Sequence, residues 1–455
     1  MDRQQEQFEK MTQRKVPGLI VALGVPTIIS MLVSSIYNMA DTYFVSKLGT
    51  EASGAVGIVF SLMALIQAVG FTLGMGSGSK ISRLLGEQKQ QEANQTASSG
   101  LFAAVLFGLL LSVGGLVFLD PLMRLLGATP TILPFARNYA RFILLGAPVM
   151  ASSFVLNNLL RSQGMARLAM VGITTGGLLN VALDPLFIFG LGLGTSGAAI
   201  ATLISQCVSC GILASMFIRG KSVVALSRRS ISSSPGVYLD IIKTGLPSFC
   251  RQGLASISTV ALNHAAGMYG DFAIAGMSIV SKIFMLLFSV SLGIGQGYQP
   301  VAGYNYGARK FDRVRQAILF TFSVSFCGMS LFALLMFTAA PAVMKGFIAD
   351  PQAADFGCKA LRWQCCSLPL IPLGVMCNMT FQSIGRSWTA TLLSCARQGF
   401  FFLPLIALLP SLFGETGVQM TQACADALTG LLCLPFAIQF MKSLSQKSFT
   451  AETEL

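Results

Sequence analysis

Two aspartates, Asp41 and Asp184, stand inside long apolar stretches of the chain. A carboxylate in such a setting is costly unless it is paired, hydrated or protonated, so it marks an ion pathway. Of eighteen acidic residues, only these two and Asp426 lie well within apolar stretches. A pair of carboxylates at similar depth can exchange protons or hold a monovalent cation. Their neighbours suit that chemistry. Asn180 precedes Asp184 by one helical turn and Tyr37 precedes Asp41 by one, so each pair shares a helix face. Thr202 falls on the next span, and Tyr139 and Asn157 lie near membrane depth in the same half. Oxygen donors of this kind fit a hard cation such as sodium or a proton network. A second group, Arg251, Lys282, Arg397 and Asp426, is expected as a buried cluster in which Asp426 neutralises one of three bases. Which base it pairs with is left open by spacing alone.

These side chains need a membrane-spanning scaffold, and composition supplies one. The chain has 455 residues, 53% hydrophobic and 11% charged, against roughly a quarter charged in soluble domains. Twelve apolar spans are predicted, near 16–45, 53–80, 95–119, 135–158, 168–190, 196–218, 241–268, 272–302, 316–340, 357–381, 388–410 and 417–441. The net charge of +13 is unevenly placed. Lys and Arg crowd the N-terminal tail and every second loop after it. The opposite side carries only Lys47, Arg124, Arg137, Arg141, Lys345, Lys359 and Arg362. This asymmetry predicts a multi-pass protein of the cell membrane with both termini cytoplasmic, and it argues against nucleic acid as the partner of the positive charge.

The chain repeats itself at an offset of 221 residues. Gly24 and Pro26 fall on Gly245 and Pro247, Gly74 and Gly76 on Gly295 and Gly297, Gly86 on Gly307, and Pro148 on Pro369. Asp41 and Asp184, in contrast, fall on Leu262 and Leu405. Six spans per copy is an even number, so the halves share one orientation and are related by a pseudo-twofold axis along the membrane normal. The expected fold is an all-α membrane protein of twelve transmembrane helices in two six-helix lobes. Its parts are a tail over 1–15, a first lobe over 16–218, a linker over 219–240, a second lobe over 241–441 and a tail over 442–455. Pro26, inside the first helix, removes a backbone hydrogen bond and is either a static bend or a hinge.

Other motifs carry no chemistry. Gly192, Gly194 and Gly197 match a dinucleotide fingerprint, but in a short loop with no acidic residue before Asp240. A phosphate-binding loop is missing, so ATP is not the direct energy source. His264, the single histidine, rules out a multi-histidine metal site and reads as a packing residue. Cys207 and Cys210 lie within a span, without a redox-domain context. The N-terminal sequence has no secretory cleavage pattern. No enzyme active site is expected, and no cofactor.

Taken together, Pro26, the run from Tyr37 through Asp41 to Gly49, Leu160-Arg-Ser-Gln-Gly164 and Asn180-Val-Ala-Leu-Asp184-Pro185 resemble the multidrug and toxic compound extrusion (MATE) family, over about residues 15–440. The absence of acids at the corresponding helices of the second lobe looks like the DinF-like branch. The resemblance implies a monomeric antiporter exporting organic cations and other amphipathic small molecules in exchange for protons or sodium. It also implies that Asp41, Asn180, Asp184 and Thr202 bind the coupling ion, that Tyr37, Tyr139 and Asn157 form the surrounding network, and that Pro26 is the bend point of the first helix. The alternative reading is a flippase for a lipid-linked oligosaccharide or cell-wall precursor, whose anionic pyrophosphate would account for the membrane-embedded arginines.

Overall fold

The computed structural model describes residues 3–348 and 350–453; the outermost two residues of each expected tail lie outside them. Twelve long helices follow one another: α1 (Val16–Ser46), α2 (Thr50–Gly86), α3 (Gln90–Val117), α4 (Leu133–Ser162), α5 (Ala166–Gly190), α6 (Gly194–Ile218), α7 (Pro235–Gly267), α8 (Asp271–Gly307), α9 (Phe311–Phe347), α10 (Pro351–Ser383), α11 (Ser387–Phe413) and α12 (Glu415–Thr453). Among the described residues, eleven are long and apolar enough to cross a membrane. The remaining one, α7, is made more polar by Arg251, Gln252, Asn263 and His264, yet it packs along α2 and α11 as a full member of the bundle.

The two lobes meet through α1, α2, α7 and α8, and glycines set how closely. A methyl group at Gly76 would strike the Ile241 carbonyl, and one at Gly245 the Thr72 carbonyl. Likewise Gly86 lies on the Tyr304 carbonyl and Gly307 on that of Arg83. Adding 221 to 86 and to 83 gives 307 and 304, so the last two contacts are one contact seen from each lobe. Ser82 and Gly303, themselves 221 apart, touch each other and therefore sit on the pseudo-twofold axis. The small residues let backbones approach where side chains would hold them apart.

These contacts lie toward the end of the bundle that carries both termini. Polar side chains seal the same end: Lys80 pairs with Asp240 at 2.5 Å, and Gln299 donates to Ser79 Oγ and Gln382 Oε1, each at 3.2 Å. Among the described residues, the inter-lobe hydrogen bond farthest from the termini is Ser35–Ser289, 3.0 Å, near mid-bundle.

The described residues of both expected tails are helical, and the linker packs on the bundle. A helix over Arg3–Gln13 tucks beneath the closed end. It bridges the lobes, with Gln7 donating to the Gln163 carbonyl and Asn305 to the Met11 carbonyl. α12 runs beyond 441, and α7 begins at Pro235, before 241. The intervening strand of chain is strapped to the first lobe by Gln163, whose Oε1 accepts from the amides of Val223 and Val224 at 2.8 and 3.0 Å.

Candidate functional site

The first-lobe cluster is built where α1, α4, α5 and α6 converge. Gly177 lets α1 lie against α5, since a methyl there would come within 2.9 Å of Val33 and 3.1 Å of Tyr37. Asp184 ends the regular part of α5. Pro185 follows, then a π turn over Leu186–Gly190, a widened turn common at functional sites. Asp184 is fully buried, Asp41 is 8% exposed and Tyr139 is fully buried.

A chain of polar contacts joins them. Tyr139 Oη donates to Asp41 Oδ2 at 3.5 Å and also interacts with Thr202. Asn180 Nδ2 donates to Asp184 Oδ1 at 3.2 Å and to Thr202 Oγ1 at 3.3 Å. One oxygen of each carboxylate, Asp41 Oδ1 and Asp184 Oδ2, is buried with no protein partner. Buried polar atoms are rarely left so, and two such oxygens can take a proton or a cation. A cavity of about 30 Å³ adjoins the cluster, lined by Tyr37, Asn180, Thr202 and Ser205, with room for a water or a small ion.

Asn157 does not hydrogen-bond into this network. Its amide donates to the Ala169 carbonyl at 3.0 Å, and its counterpart Asn378 donates to the Ala390 carbonyl at 2.7 Å. The same clamp in both lobes makes it part of the duplicated scaffold. Pro26 is buried within a continuous α1, and Ser30 Oγ donates to its carbonyl at 2.9 Å.

In the second lobe, Arg397 is the base that Asp426 neutralises, Nε to Oδ1 at 2.6 Å. Gln422 donates to the same oxygen at 3.0 Å, and the guanidinium lies over the rings of Phe284 and Phe288 at 5.0 and 4.7 Å. Arg251 joins this group through Asn378, Nη1 to Oδ1 at 3.4 Å. Lys282 does not; it is exposed on α8. His264 is likewise exposed and is not a packing residue. Removing Asp426 alone strands a largely buried guanidinium. Asp426→Ala is expected to destabilise the protein by about 3–5 kcal/mol, and adding Arg397→Met to recover most of it, read from unfolding midpoints in detergent.

Arg161, in the last turn of α4, is buried. It donates to Gln296 Oε1 of the other lobe at 2.6 Å, to Asn158 Oδ1, and to Met75 Sδ at 3.4 Å. Among the described residues it has no ion pair. The sequence signal for this inter-lobe contact is the pair of amides, Gln296 and Gln299, within a long membrane-spanning helix.

The MatE family model matches twice, over residues 26–186 and 247–408, with starts 221 residues apart. The chain belongs to the MatE family. It is thus a membrane transporter and not an enzyme, with the all-α, twelve-helix fold expected of it. The multidrug export protein MepA of Staphylococcus aureus (strain MSSA476) is 27% identical over 436 residues, which cover 95% of each chain. A solved outward-facing conformation of a multidrug resistance MATE family transporter of the MOP superfamily superposes with a TM-score of 0.90 at 29% identity, covering 96% of this chain and 98% of that one. A crystal structure of MATE in the straight conformation gives 0.91 at 29% identity, covering 97% and 99%. In this MatE protein, the Gly192–Gly197 run serves the turn between α5 and α6: Gly192 and Gly194 have φ of +66° and +56°, and a methyl on Gly197 would meet the Phe187 carbonyl at 2.6 Å.

Proposed function

We propose that this MatE protein is a secondary active antiporter that exports amphipathic, often cationic small molecules in exchange for protons or sodium. The observation that carries this reading is the pair of partnerless buried oxygens on Asp41 and Asp184, present in one lobe and replaced by leucines in the other. The positive charge of the termini side supports a cytoplasmic location for that side in a cell membrane. The lobes are then closed inward, and the ion site is reached from outside. The relatives described as multidrug exporters support the substrate class.

The steps follow from charge. Asp41 and Asp184, when ionised, favour a cationic drug in the space between the lobes. Entry of a proton or sodium ion from outside cancels that charge, and α1 rearranges about Pro26, whose missing N–H weakens the helix there. The drug is released outward. Closure outside and opening inside then returns the ion to the cytoplasm and restores the carboxylates. Each elementary charge crossing the membrane contributes about 2.3 kcal/mol per 100 mV. The protein works as a monomer in this scheme, with the lobes rocking across their own interface. The flippase reading is weaker, because Asp426 neutralises Arg397 and leaves a single surplus charge, on Arg251, for a multiply charged pyrophosphate.

The test is dye efflux from proteoliposomes under an imposed proton gradient, then an imposed sodium gradient. Efflux driven by either supports antiport. Efflux under neither, with accumulation of lipid-linked precursor in depleted cells, favours the flippase.

A further inference from the structure

The second lobe contains a cavity of about 100 Å³, and it is the pseudo-twofold equivalent of the one beside Asn180. Adding 221 to Ser34, Ser153, Ile173, Gly176, Ser205 and Ser209 of the first cavity gives Ala255, Gly374, Ser394, Arg397, Asp426 and Gly430, all of which line the second. The duplication kept the cavity and changed its sign. Where α5 has Gly176, α11 has Arg397, and where α1 has Ser30, α7 has Arg251.

The wall of this second cavity has an uncompensated positive charge. Asp426 answers Arg397, but among the described residues Arg251 has no ion pair, only its 3.4 Å contact with Asn378. Arg397 Nη2 is buried and has no partner, so a donor is left over on each guanidinium. The backbone is also specialised: Ala396–Phe402 is a π turn in α11, whereas the equivalent residues of α5 are regular α-helix. Apolar walls come from Phe288, Leu292 and Leu370. An apolar cavity with two forked donors and one surplus positive charge suits a compact anion on an apolar body.

We propose that this cavity is an anion subsite that takes the carboxylate of an amphipathic small molecule, its apolar part resting against Phe288 and Leu292. A zwitterionic compound would then address both lobes, its cation drawn to the first and its carboxylate to the second. This rests on the exporter reading above, and its test is separable from that reading.

The full chain is placed in phosphatidylcholine nanodiscs, and equilibrium dialysis measures binding of 2-naphthoate and of its neutral analogue 2-naphthalenemethanol. Naphthoate is expected to bind about tenfold more tightly than the alcohol. Arg251→Gln should weaken naphthoate about tenfold while leaving the alcohol unchanged, and Arg251→Lys should lose less. Equal binding of the two probes to the native protein would overturn the proposal, and this comparison needs no variant to fold. Unchanged naphthoate affinity in a monodisperse Arg251→Gln protein would also overturn it. So would displacement of naphthoate when the nanodiscs contain phosphatidylglycerol, which would give the cavity to a lipid headgroup. Naphthoate binding with the predicted Arg251 dependence, in a protein that shows no gradient-driven efflux, would uphold the subsite and remove the exporter reading.

Discussion

Asp184→Asn is expected to reduce gradient-driven drug efflux to the level of empty liposomes, with the protein still inserted and monodisperse. Asparagine keeps the shape of the side chain and the contact with Asn180, 3.2 Å in the native protein, but carries no charge and cannot exchange a proton. Asp184 is fully buried with one oxygen unpartnered, so neutralising it relieves a desolvation cost rather than breaking an ion pair. Stability is therefore expected to hold or rise while transport is lost. Asp41→Asn should behave the same way, because among the described residues its one side-chain hydrogen bond, from Tyr139 Oη at 3.5 Å, is long. Wild-type efflux in either variant would show that the coupling ion binds elsewhere.

Gly76→Val is expected to be the next most damaging change. The added carbons would run into the Ile241 carbonyl and the Gly245 amide of the other lobe. These are backbone atoms of two long helices and cannot swing aside as a side chain can. The lobes should then fail to close at the termini end, and export should stop even though both candidate sites are untouched. Spin labels at Glu87→Cys and Arg309→Cys, in a chain whose native cysteines are replaced, read this directly. The native protein should give a short inter-label distance and Gly76→Val a long one. Gly57→Ala, which meets nothing within 4 Å, is the matched control and should keep the short distance. A short distance in Gly76→Val would show that the glycine contact does not set closure.

Much of this architecture is legible in the sequence. The 221-residue register predicts two like-oriented lobes, and the observed pairs Gly86–Tyr304 and Gly307–Arg83 are that register in three dimensions. Asp41, Asn180, Asp184, Thr202 and Tyr139 were legible because polar groups stand out against an apolar span. Other features were hidden for identifiable reasons. Arg161 lies in the last turn of α4, where a span normally meets water; only packing between lobes buries it. The choice of Arg397 over Lys282 as the partner of Asp426 is made by tertiary placement, since Arg397 reaches Asp426 at 2.6 Å while Lys282 is exposed on α8. Both bases stand at similar depth in their predicted spans, so sequence spacing does not tell them apart. The Arg3–Gln13 helix is held by contacts to loops far away in sequence, such as Gln7 to Gln163, so its local polarity reads as a tail.

The central claim is that drug and coupling ion compete through the first-lobe carboxylates. The most direct measurement is the affinity of purified protein for tetraphenylphosphonium, titrated against pH in sodium-free buffer and against sodium at fixed alkaline pH. The native protein should bind the cation more weakly as protons or sodium are added, and the Asp41→Asn, Asp184→Asn double variant should bind it with an affinity independent of both. A native affinity unaffected by protons and by sodium, or a double variant that keeps the native dependence, would contradict the account.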